Sequence, residues 1–229
     1  MSIEQPGLFG PPETEKLESP EEGREEQSLA YIPFIPGVKP QEAYLELNTL
    51  SELEQRAKSC RQCRLREGCR QVVFGEGKSN ARLMLVGEGP GMDEDLQGRP
   101  FVGKAGQLLD KILAAAELPR QEVYIGNVVK CRPPGNRLPH PDEVRFCRNY
   151  LEAQIRIIKP QIVVCMGSLA TRAVIDPQAS ITMTRGKWFT RQGISIMAVF
   201  HPAALLRNPP YKRPTWEDFK QIRDEYYRQ

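Results

Sequence analysis

The chain has 229 residues, of which 40% are hydrophobic and 27% charged, an ordinary composition for a globular protein. This length suits one domain, or one domain with a tail, and it is enough for a core without disulfide staples. No stretch approaches the roughly 20 apolar residues of a membrane span, and the first residues lack a secretory signal. We therefore expect a cytoplasmic protein with no membrane partner.

The net charge of +3 is the sum of two oppositely charged parts. Residues 1–50 hold ten glutamates and three basic residues, a net charge of −7, so residues 51–229 carry +10. The acidic part is rich in proline and glycine, which predicts a flexible tail over residues 1–45 and a folded domain over residues 46–229. The basic domain indicates a polyanionic partner, although a solvated basic face would carry the same charge.

One apolar pair interrupts the acidic tail. Leu8 and Phe9 end the segment Gln5–Phe9, which resembles the short Gln-x-x-Leu-Phe peptides that dock on bacterial sliding clamps. A disordered tail has no core for such a pair to join. The resemblance implies a sliding clamp as a partner of the tail.

Hydrophobic patterning predicts strands that alternate with helices in the folded domain. The predicted strands are residues 82–87, 123–129, 162–167 and 194–199. The predicted helices are residues 49–59, with Ser51 and Glu54 in capping-box spacing, 104–117, a helix that follows residue 142, 168–175 and 216–226. We expect an α/β fold, a three-layer sandwich in which a mostly parallel four-stranded sheet is flanked by helices.

Ligands of such sheets bind beyond the carboxyl ends of the strands. Glycines and polar residues follow each predicted strand, including Glu88, Asn127, Gly167 and His201. Because the carboxyl ends of parallel strands share one edge, these residues favour a single cleft.

The segment from Gly87 to Asp95 is neither a dinucleotide fingerprint nor a P-loop, because the required glycine and lysine spacings are missing. It offers a glycine turn with free backbone N–H groups, followed by a carboxylate triplet. Those groups suit an oxyanion contact and an activated water. For Asp93 or Asp95 taken singly, an acidic helix start that favours the helix dipole explains the pattern equally well.

Six cysteines occur, and without a secretory signal they are expected to be reduced. Cys60 and Cys63 lie among arginines that favour thiolates, and a turn-rich loop could bring Cys131 to Cys147. Four such thiolates suit zinc or an iron–sulfur cluster. A zinc ribbon would prefer two tight C-x-x-C pairs, which favours the cluster, and Cys69 could replace one ligand.

An ordered set of motifs resembles the family 4 uracil-DNA glycosylases, the iron–sulfur class. The matching stretches are Val73–Gly77, Gly87–Asp95, Gly98–Gly106, Asn127–Pro134, Arg185–Trp188 and Phe200–Pro209. The resemblance covers about residues 50–227 in the expected order and leaves the tail uncovered.

The resemblance implies a [4Fe–4S] cluster, expected to be structural, which holds loops that face DNA. Its ligands would be Cys60, Cys63, Cys131 and Cys147, leaving Cys69 spare.

The resemblance also implies roles in a uracil pocket. Phe101 would stack on the extruded uracil, and the Asn127 amide would read its O4 and N3–H edge. The Gly89 N–H and His201 would bind O2, where negative charge grows as uracil leaves. Glu94, or else Glu88, would position water or exclude the thymine methyl. A buried structural histidine is the competing interpretation of His201.

A flipped base must be replaced in the stack, and Leu205, Leu206 and Arg207 offer apolar wedges beside a cation. One of the two leucines could equally be a core residue of a helix. We expect a monomeric, monofunctional uracil-DNA glycosylase of base-excision repair, cytoplasmic and on the nucleoid when it binds DNA that contains uracil. The alternatives are a zinc-stabilised nucleic-acid-binding protein and a glycosylase for another base.

Overall fold

The computed structural model describes residues 31–39 and 41–228. The segment Gln5–Phe9 and most of the predicted tail lie outside the described residues. One compact unit begins at Pro33. Within the described ranges, no helix is both long enough and apolar enough to cross a membrane.

One six-stranded sheet forms the centre of the described chain. Its strands are β1 (Glu76–Gly77), β2 (Leu83–Gly87), β3 (Tyr124–Asn127), β4 (Ile162–Met166), β5 (Trp188–Arg191) and β6 (Ile194–Val199). Their spatial order is β1-β3-β2-β4-β6-β5. The inner strands β3, β2, β4 and β6 are parallel, as predicted, whereas β1 and β5 are antiparallel edges. The mostly parallel α/β sheet is confirmed, but it has six strands instead of four.

The two edge strands lack the buried apolar runs that predicted the inner four. β1 has only two residues, and the side chains of β5 are largely exposed. A two-residue turn joins β5 to β6 through Gln192 and Gly193, whose φ angles are +50° and +77°. Two positive φ angles are typical of the tight type I′ hairpin turn. The Gln-Gly dipeptide is therefore the local sequence feature that could have indicated a hairpin, and with it the strand β5.

Ten α-helices accompany the sheet in the described ranges. They are α1 (Glu42–Leu45), α2 (Leu50–Lys58), α3 (Leu65–Gly68), α4 (Met92–Gln97), α5 (Lys104–Ala115), α6 (Pro141–Ile158), α7 (Ser168–Val174), α8 (Ile181–Thr184), α9 (Pro202–Arg207) and α10 (Lys212–Arg228). The predicted capping box of α2 was two residues out of register. Thr49 caps the helix with Glu52, because the helical hydrogen bonds begin at Leu50.

The two faces of the sheet bury two separate clusters of side chains. In β2, Met84 and Val86 join one cluster, and Leu83 and Leu85 join the other, as the two-residue period of a strand requires. Helices α2, α6 and α7 cover the first face, and α5 and α10 cover the second. The predicted three-layer sandwich is therefore confirmed.

The folded body begins earlier than the predicted boundary at residue 46. Phe34 and Ile35 are buried in the first cluster, and their backbone N–H groups each donate to the carboxylate of Glu152 at 2.7 Å. Arg191 donates to the carbonyl of Phe34 at 3.0 Å. The segment was assigned to the tail because it is short and interrupted by prolines, so it shows no helix or strand period.

Candidate active site

A cavity of about 730 Å³ opens at the carboxyl ends of the parallel strands. The six predicted catalytic and substrate-binding residues all line it: Glu88, Gly89, Glu94, Phe101, Asn127 and His201. They reach it from the end of β3, from the segments that follow β2 and β6, from the first turn of α4 and from the loop before α5. The sheet thus brings together residues that lie up to 113 positions apart in the sequence.

Asn127 ends β3 with its side chain buried inside the protein. Its Oδ1 atom has no hydrogen-bond partner within the described part of the chain. Gly87, at the end of β2, makes room for it: a Cβ there would lie 2.4 Å from Asn127 Oδ1 and 2.6 Å from Phe101 Cζ. The glycine therefore allows an amide and an aromatic ring to stand side by side in the cavity.

Phe101 is buried with a φ of +54°, a left-handed conformation that is strained for a phenylalanine. Two charged side chains hold its loop. Glu94 accepts the N–H groups of Val102 and Gly103 at 3.0 and 2.9 Å, and Arg120 donates to the carbonyls of Pro100 and Phe101 at 3.0 and 3.4 Å. Electrostatic contacts on both sides of the backbone thus fix the ring's position.

The carboxylate triplet after β2 forms the first turn of α4. Glu94 Oε2 also accepts the N–H of Gly91 at 3.1 Å, so both of its oxygens bind backbone. Asp95 Oδ1 accepts the N–H groups of Arg70 and Gln71 at 2.9 and 3.3 Å. Asp95 therefore joins α4 to the backbone at residues 70–71, and Glu94 lines the cavity and holds the Phe101 loop.

Glu88 differs from Glu94, because its carboxylate has no hydrogen-bond partner among the described residues. Burial raises the pKa of this carboxyl above its usual value, and the cations of Arg172 and Arg207 act in the opposite direction. The next residue, Gly89, leaves its N–H without an acceptor in the same ranges, and a Cβ there would lie 2.6 Å from Val129. The glycine turn thus presents one carboxylate and one backbone donor.

His201 is the N-cap of α9, where its Nδ1 accepts the N–H of Ala203 at 3.1 Å. Because Nδ1 acts as an acceptor, the ring proton belongs on Nε2. Burial, assisted by the nearby charge of Arg207, lowers the pKa of His201 to about 4. The imidazole lies 5.5 Å from the Phe101 ring, measured between centroids. It is therefore a neutral Nε2–H donor beside the aromatic wall.

Comparison with known proteins agrees with this geometry. Residues 74–220 match the Uracil DNA glycosylase superfamily. The chain is 40% identical over 184 residues to a type-4 uracil-DNA glycosylase of Archaeoglobus fulgidus, covering 77% of this chain and 92% of that protein. For the type-4 uracil-DNA glycosylase of Thermotoga maritima the identity is 44% over 169 residues, covering 72% and 87%.

This chain belongs to the type-4 uracil-DNA glycosylase family. A third relative of the same name, from Sulfurisphaera tokodaii, is 42% identical over 187 residues, covering 78% of this chain and 85% of that protein. The parallel sheet and the cavity at its carboxyl edge are therefore the framework of a glycosylase, and the remaining sequence-predicted residues can be placed on it.

The residues predicted to enter DNA lie on α9, directly after His201. Leu205 is buried in the protein, whereas 47% of Leu206 is exposed. Arg207 is exposed and lines the cavity. Of the two leucines, Leu206 alone has an accessible side chain, and Leu205 fixes the helix to the body of the glycosylase.

The four cysteines proposed as ligands come from three segments: the loop after α2, the loop after β3 and the middle of α6. Burial, opposed by Lys130 and reinforced by the nearby Cys63 and Cys60, raises the pKa of Cys147 to about 12. The backbone N–H of Lys130 donates to the Cys147 sulfur at 3.2 Å. Within the described ranges, no group of three or more His, Cys, Asp or Glu side chains is arranged to hold a single metal ion.

The donor set nevertheless suits an iron–sulfur cluster, whose cysteine ligands bind separate corners of the cluster. A hydrogen bond with Cys69 and burial raise the pKa of Cys131, and the adjacent Cys147 and Cys63 thiols raise it further. Thiols that suppress one another's ionisation in this way would be stabilised as thiolates by bound iron. Cys69 shares this hydrogen bond with Cys131, so a fifth thiol lies beside the four cysteines predicted as ligands.

Lys130 ends in a closed polar network behind the cavity. Its fully buried ammonium donates to the Asn127 carbonyl at 2.7 Å and to Gln154 Oε1 at 2.6 Å, and burial lowers its pKa to about 8. Gln154 in turn donates to the Tyr124 hydroxyl at 2.8 Å. The lysine thus supports the strand end that carries Asn127 and does not line the cavity.

Sequence reasoning missed several side chains that line or support the cavity. Arg172 lines it, and so do Phe200 and Tyr211, whose rings stack 4.1 Å apart. Arg185 lies 5.5 Å from the Phe200 ring and is held by Asp218. The Arg185–Trp188 motif is visible in the sequence, but the hydrogen bond from Arg185 to Asp218 on α10 forms only in the folded protein.

Proposed function

We propose that this chain flips uracil out of DNA and hydrolyses its N-glycosidic bond in base-excision repair. The observation that carries the proposal is the buried Oδ1 of Asn127, which has no partner among the described residues, in a cavity lined by Phe101 and His201. Membership of the type-4 uracil-DNA glycosylase family supports it.

Asn127 would select the base. A buried oxygen without a partner destabilises a protein by about 1–3 kcal/mol, and a ligand N–H removes that penalty. Uracil presents N3–H as a donor and O4 as an acceptor, which match the oxygen and the NH₂ of one amide. Cytosine has an acceptor at N3 and a donor at its C4 amino group, so it opposes the same amide at both positions.

Phe101 would form the stacking surface for the extruded base. A flipped base loses its neighbours in the helix, and stacking on an aromatic ring restores about 1–3 kcal/mol. Glu94 and Arg120 hold this ring before DNA arrives, so little ordering is required on binding. We assign Glu94 to this positioning role, because both of its oxygens already bind backbone N–H groups.

His201 would stabilise the departing uracil. As the glycosidic bond breaks, negative charge accumulates on the base and concentrates at O2. The neutral His201 can donate Nε2–H to that oxygen, and the free N–H of Gly89 is a second donor. Fixed donors aimed at a developing oxyanion stabilise the transition state more than the ground state.

Glu88 would orient the attacking water. It lines the cavity, and its carboxylate is free of hydrogen bonds within the described ranges. A carboxylate can accept one proton of a water and direct the oxygen toward the sugar carbon. Arg172 and Arg207 favour the ionised form that this step requires.

The cysteines would hold a [4Fe–4S] cluster through Cys60, Cys63, Cys131 and Cys147. When bound, the cluster would link the loop after α2 to Cys131 and to α6. Cys131 and α6 flank the loop at residues 132–140, part of which lines the cavity. We assign it a structural role in holding that loop.

The reaction would be monofunctional hydrolysis. A glycosylase that also cleaves the strand needs an amine nucleophile in its pocket. No lysine lines the cavity among the described residues: Lys130 is enclosed by its network, and Lys104 lies exposed at the start of α5.

The remaining proposals concern partners. Leu206 would enter the gap left by the flipped base, and Arg207 would contact the adjacent phosphate. The segment Gln5–Phe9 would bind a sliding clamp, and an unchanged clamp affinity after deletion of residues 1–12 would contradict this. We further propose that the protein acts as a cytoplasmic monomer that joins the nucleoid on DNA.

A uracil-containing oligonucleotide tests the central proposal. The protein is incubated with it and alkali then cleaves the strand at any abasic site. We expect scission with the wild type and a loss of at least about a hundredfold with Asn127→Ala, because base recognition is removed. An oligonucleotide with cytosine in place of uracil is the matched substrate control, and scission of both to the same extent would contradict the proposal.

A further inference from the structure

The loop between Cys131 and Cys147 carries an apolar side chain that the reaction above does not use. Leu138 is 63% exposed, yet it lines the same cavity as His201. The prolines on either side of the loop, Pro133 and Pro139, are buried. A large aliphatic side chain is therefore held out into solvent at the mouth of the cavity by a segment that is otherwise anchored.

The anchoring is electrostatic and specific. Arg137 donates to both carboxylate oxygens of Glu143 at 2.8 Å, and the N–H of His140 donates to the same carboxylate at 2.7 Å. The Glu143 side chain is fully buried, and Arg64 lies 3.3 Å from it on the other side. Leu138 thus projects from a loop that is already fixed. Contact of this side chain with a ligand would therefore require little ordering of the loop.

Leu138 and Leu206 come from different parts of the sheet, and of the two only Leu138 lines the cavity. The loop of Leu138 follows β3, whereas Leu206 follows β6, and β2 and β4 lie between these strands. Three strand spacings correspond to roughly 14 Å. Each exposed leucine is next in sequence to an arginine that lines the cavity: Arg137 precedes Leu138, and Arg207 follows Leu206.

We propose that Leu138 is a second wedge, which packs against the unpaired base of the complementary strand when duplex DNA is bound. This inference rests on the glycosylase function proposed above. Arg207, beside Leu206, is exposed and can contact a DNA phosphate, whereas Arg137 is paired with Glu143 and fixes the loop from which Leu138 projects. Leu206 fills the gap in the uracil strand, and Leu138 supports the partner base from the other side of the mouth.

The test compares uracil removal from duplex and single-stranded forms of one oligonucleotide, in single-turnover reactions. Only the duplex has a complementary base to support. We expect Leu138→Ala to lower the duplex-to-single-strand rate ratio about tenfold, the effect of losing most of one leucine's burial. Leu138→Met, which keeps an aliphatic side chain, should retain the wild-type ratio.

Leu96→Ala is the matched control, because Leu96 is 50% exposed and does not line the cavity. It should leave the ratio unchanged. A wild-type ratio in Leu138→Ala, or an equal loss on both substrates, overturns the inference. Failure of the wild type to cleave either substrate would instead contradict the glycosylase proposal.

A 2-aminopurine placed opposite uracil gives an independent readout. Its fluorescence on binding should rise more with Leu138→Ala than with the wild type, and equal signals count against the wedge.

Discussion

The Nδ1 atom of His201 accepts a hydrogen bond from the backbone N–H of Ala203 at 3.1 Å. Protonation of Nδ1 would break this bond, and burial and Arg207 hold the pKa of His201 at about 4. We therefore predict that excision does not titrate with His201 between pH 5 and pH 8, and that it falls as the pH approaches 4. His201→Ala should lower the rate by about 10²–10³ at pH 7, as expected for loss of an oxyanion donor.

The lowered pKa of His201 also makes the stability of the folded protein depend on pH. Its pKa in the folded protein lies below the value of about 6.5 in the unfolded chain, so the unfolded chain binds the proton more readily. The contribution of His201 to the free energy of unfolding should therefore have its full value above pH 6.5 and decrease between pH 6.5 and pH 4. Urea unfolding across this range is the measurement, with the exposed His140→Gln as the control that keeps the decline. A decline of equal size in His201→Asn would contradict the assignment.

Asn127→Ala should separate activity from stability. Excision should fall at least about a hundredfold, because the uracil edge is no longer read. The substitution also removes the buried oxygen that has no partner, which offsets the loss of packing. We expect the urea midpoint to remain close to the wild type. A large drop in the midpoint would show that the amide is a structural residue.

Glu88 and Glu94 should respond differently to the same change. Glu88→Gln is expected to lower the excision rate about a hundredfold without altering the urea midpoint, because it removes the water-orienting carboxylate. Glu94→Gln replaces one acceptor oxygen that holds the loop at Val102 and Gly103, so it should destabilise the fold by about 1–3 kcal/mol. A loss of activity alone in Glu94→Gln, with a loss of stability in Glu88→Gln, would indicate that Glu94 orients the water.

The cysteine assignment can be checked by iron analysis and visible absorbance of the purified protein. Cys147→Ser should lose iron and the brown colour, because a ligand from α6 is removed. Cys69→Ser should keep both, since we place Cys69 outside the ligand set. Cys165→Ala, a fully buried core position, controls for effects of packing alone and should keep its iron. Zinc in place of iron in the wild type would contradict the cluster.

Two deletions test where the fold begins. Removal of residues 1–30 should leave excision intact and tighten non-specific DNA binding, because glutamates that repel phosphates are lost. Removal of residues 1–45 takes away Phe34 and Ile35 as well, so it should destabilise the protein by about 3 kcal/mol or more. Weaker DNA binding by the shorter deletion would refute the proposed effect of the acidic segment.

The inner strands could be predicted from the sequence because buried parallel strands are continuous apolar runs, as in Ile162–Met166. β5 could not, since its side chains are mostly exposed and its only local signal is the turn at Gln192 and Gly193. Phe34 and Ile35 were missed for a related reason, because they belong to no periodic element. Their side chains pack in the first cluster and their N–H groups bind a carboxylate on α6, far along the chain.

The residues of the candidate site also divide into those that local motifs predict and those that only tertiary contacts reveal. Motifs placed Asn127, Phe101 and His201 in one cavity, because residues after parallel strands share an edge. The part played by Glu94 depends on its distance from a loop eight residues away, and Arg120 reaches Phe101 only in the folded protein. Side chains that brace a site carry no local pattern, so they become visible only when distances are known.

Pro33 lies beside the turn between β5 and β6, where its carbonyl accepts a hydrogen bond from Gln192 at 3.2 Å. That turn precedes β6, whereas His201 follows it, so the six residues of the strand separate them by about 20 Å. The polypeptide enters the body at the amino edge of the sheet, and DNA would bind at the carboxyl edge. A fluorophore or a surface linker joined at the exposed turn of Gln192 and Gly193 would therefore lie at the edge of the sheet away from the cavity, which makes that turn a suitable attachment point for single-molecule work on this protein.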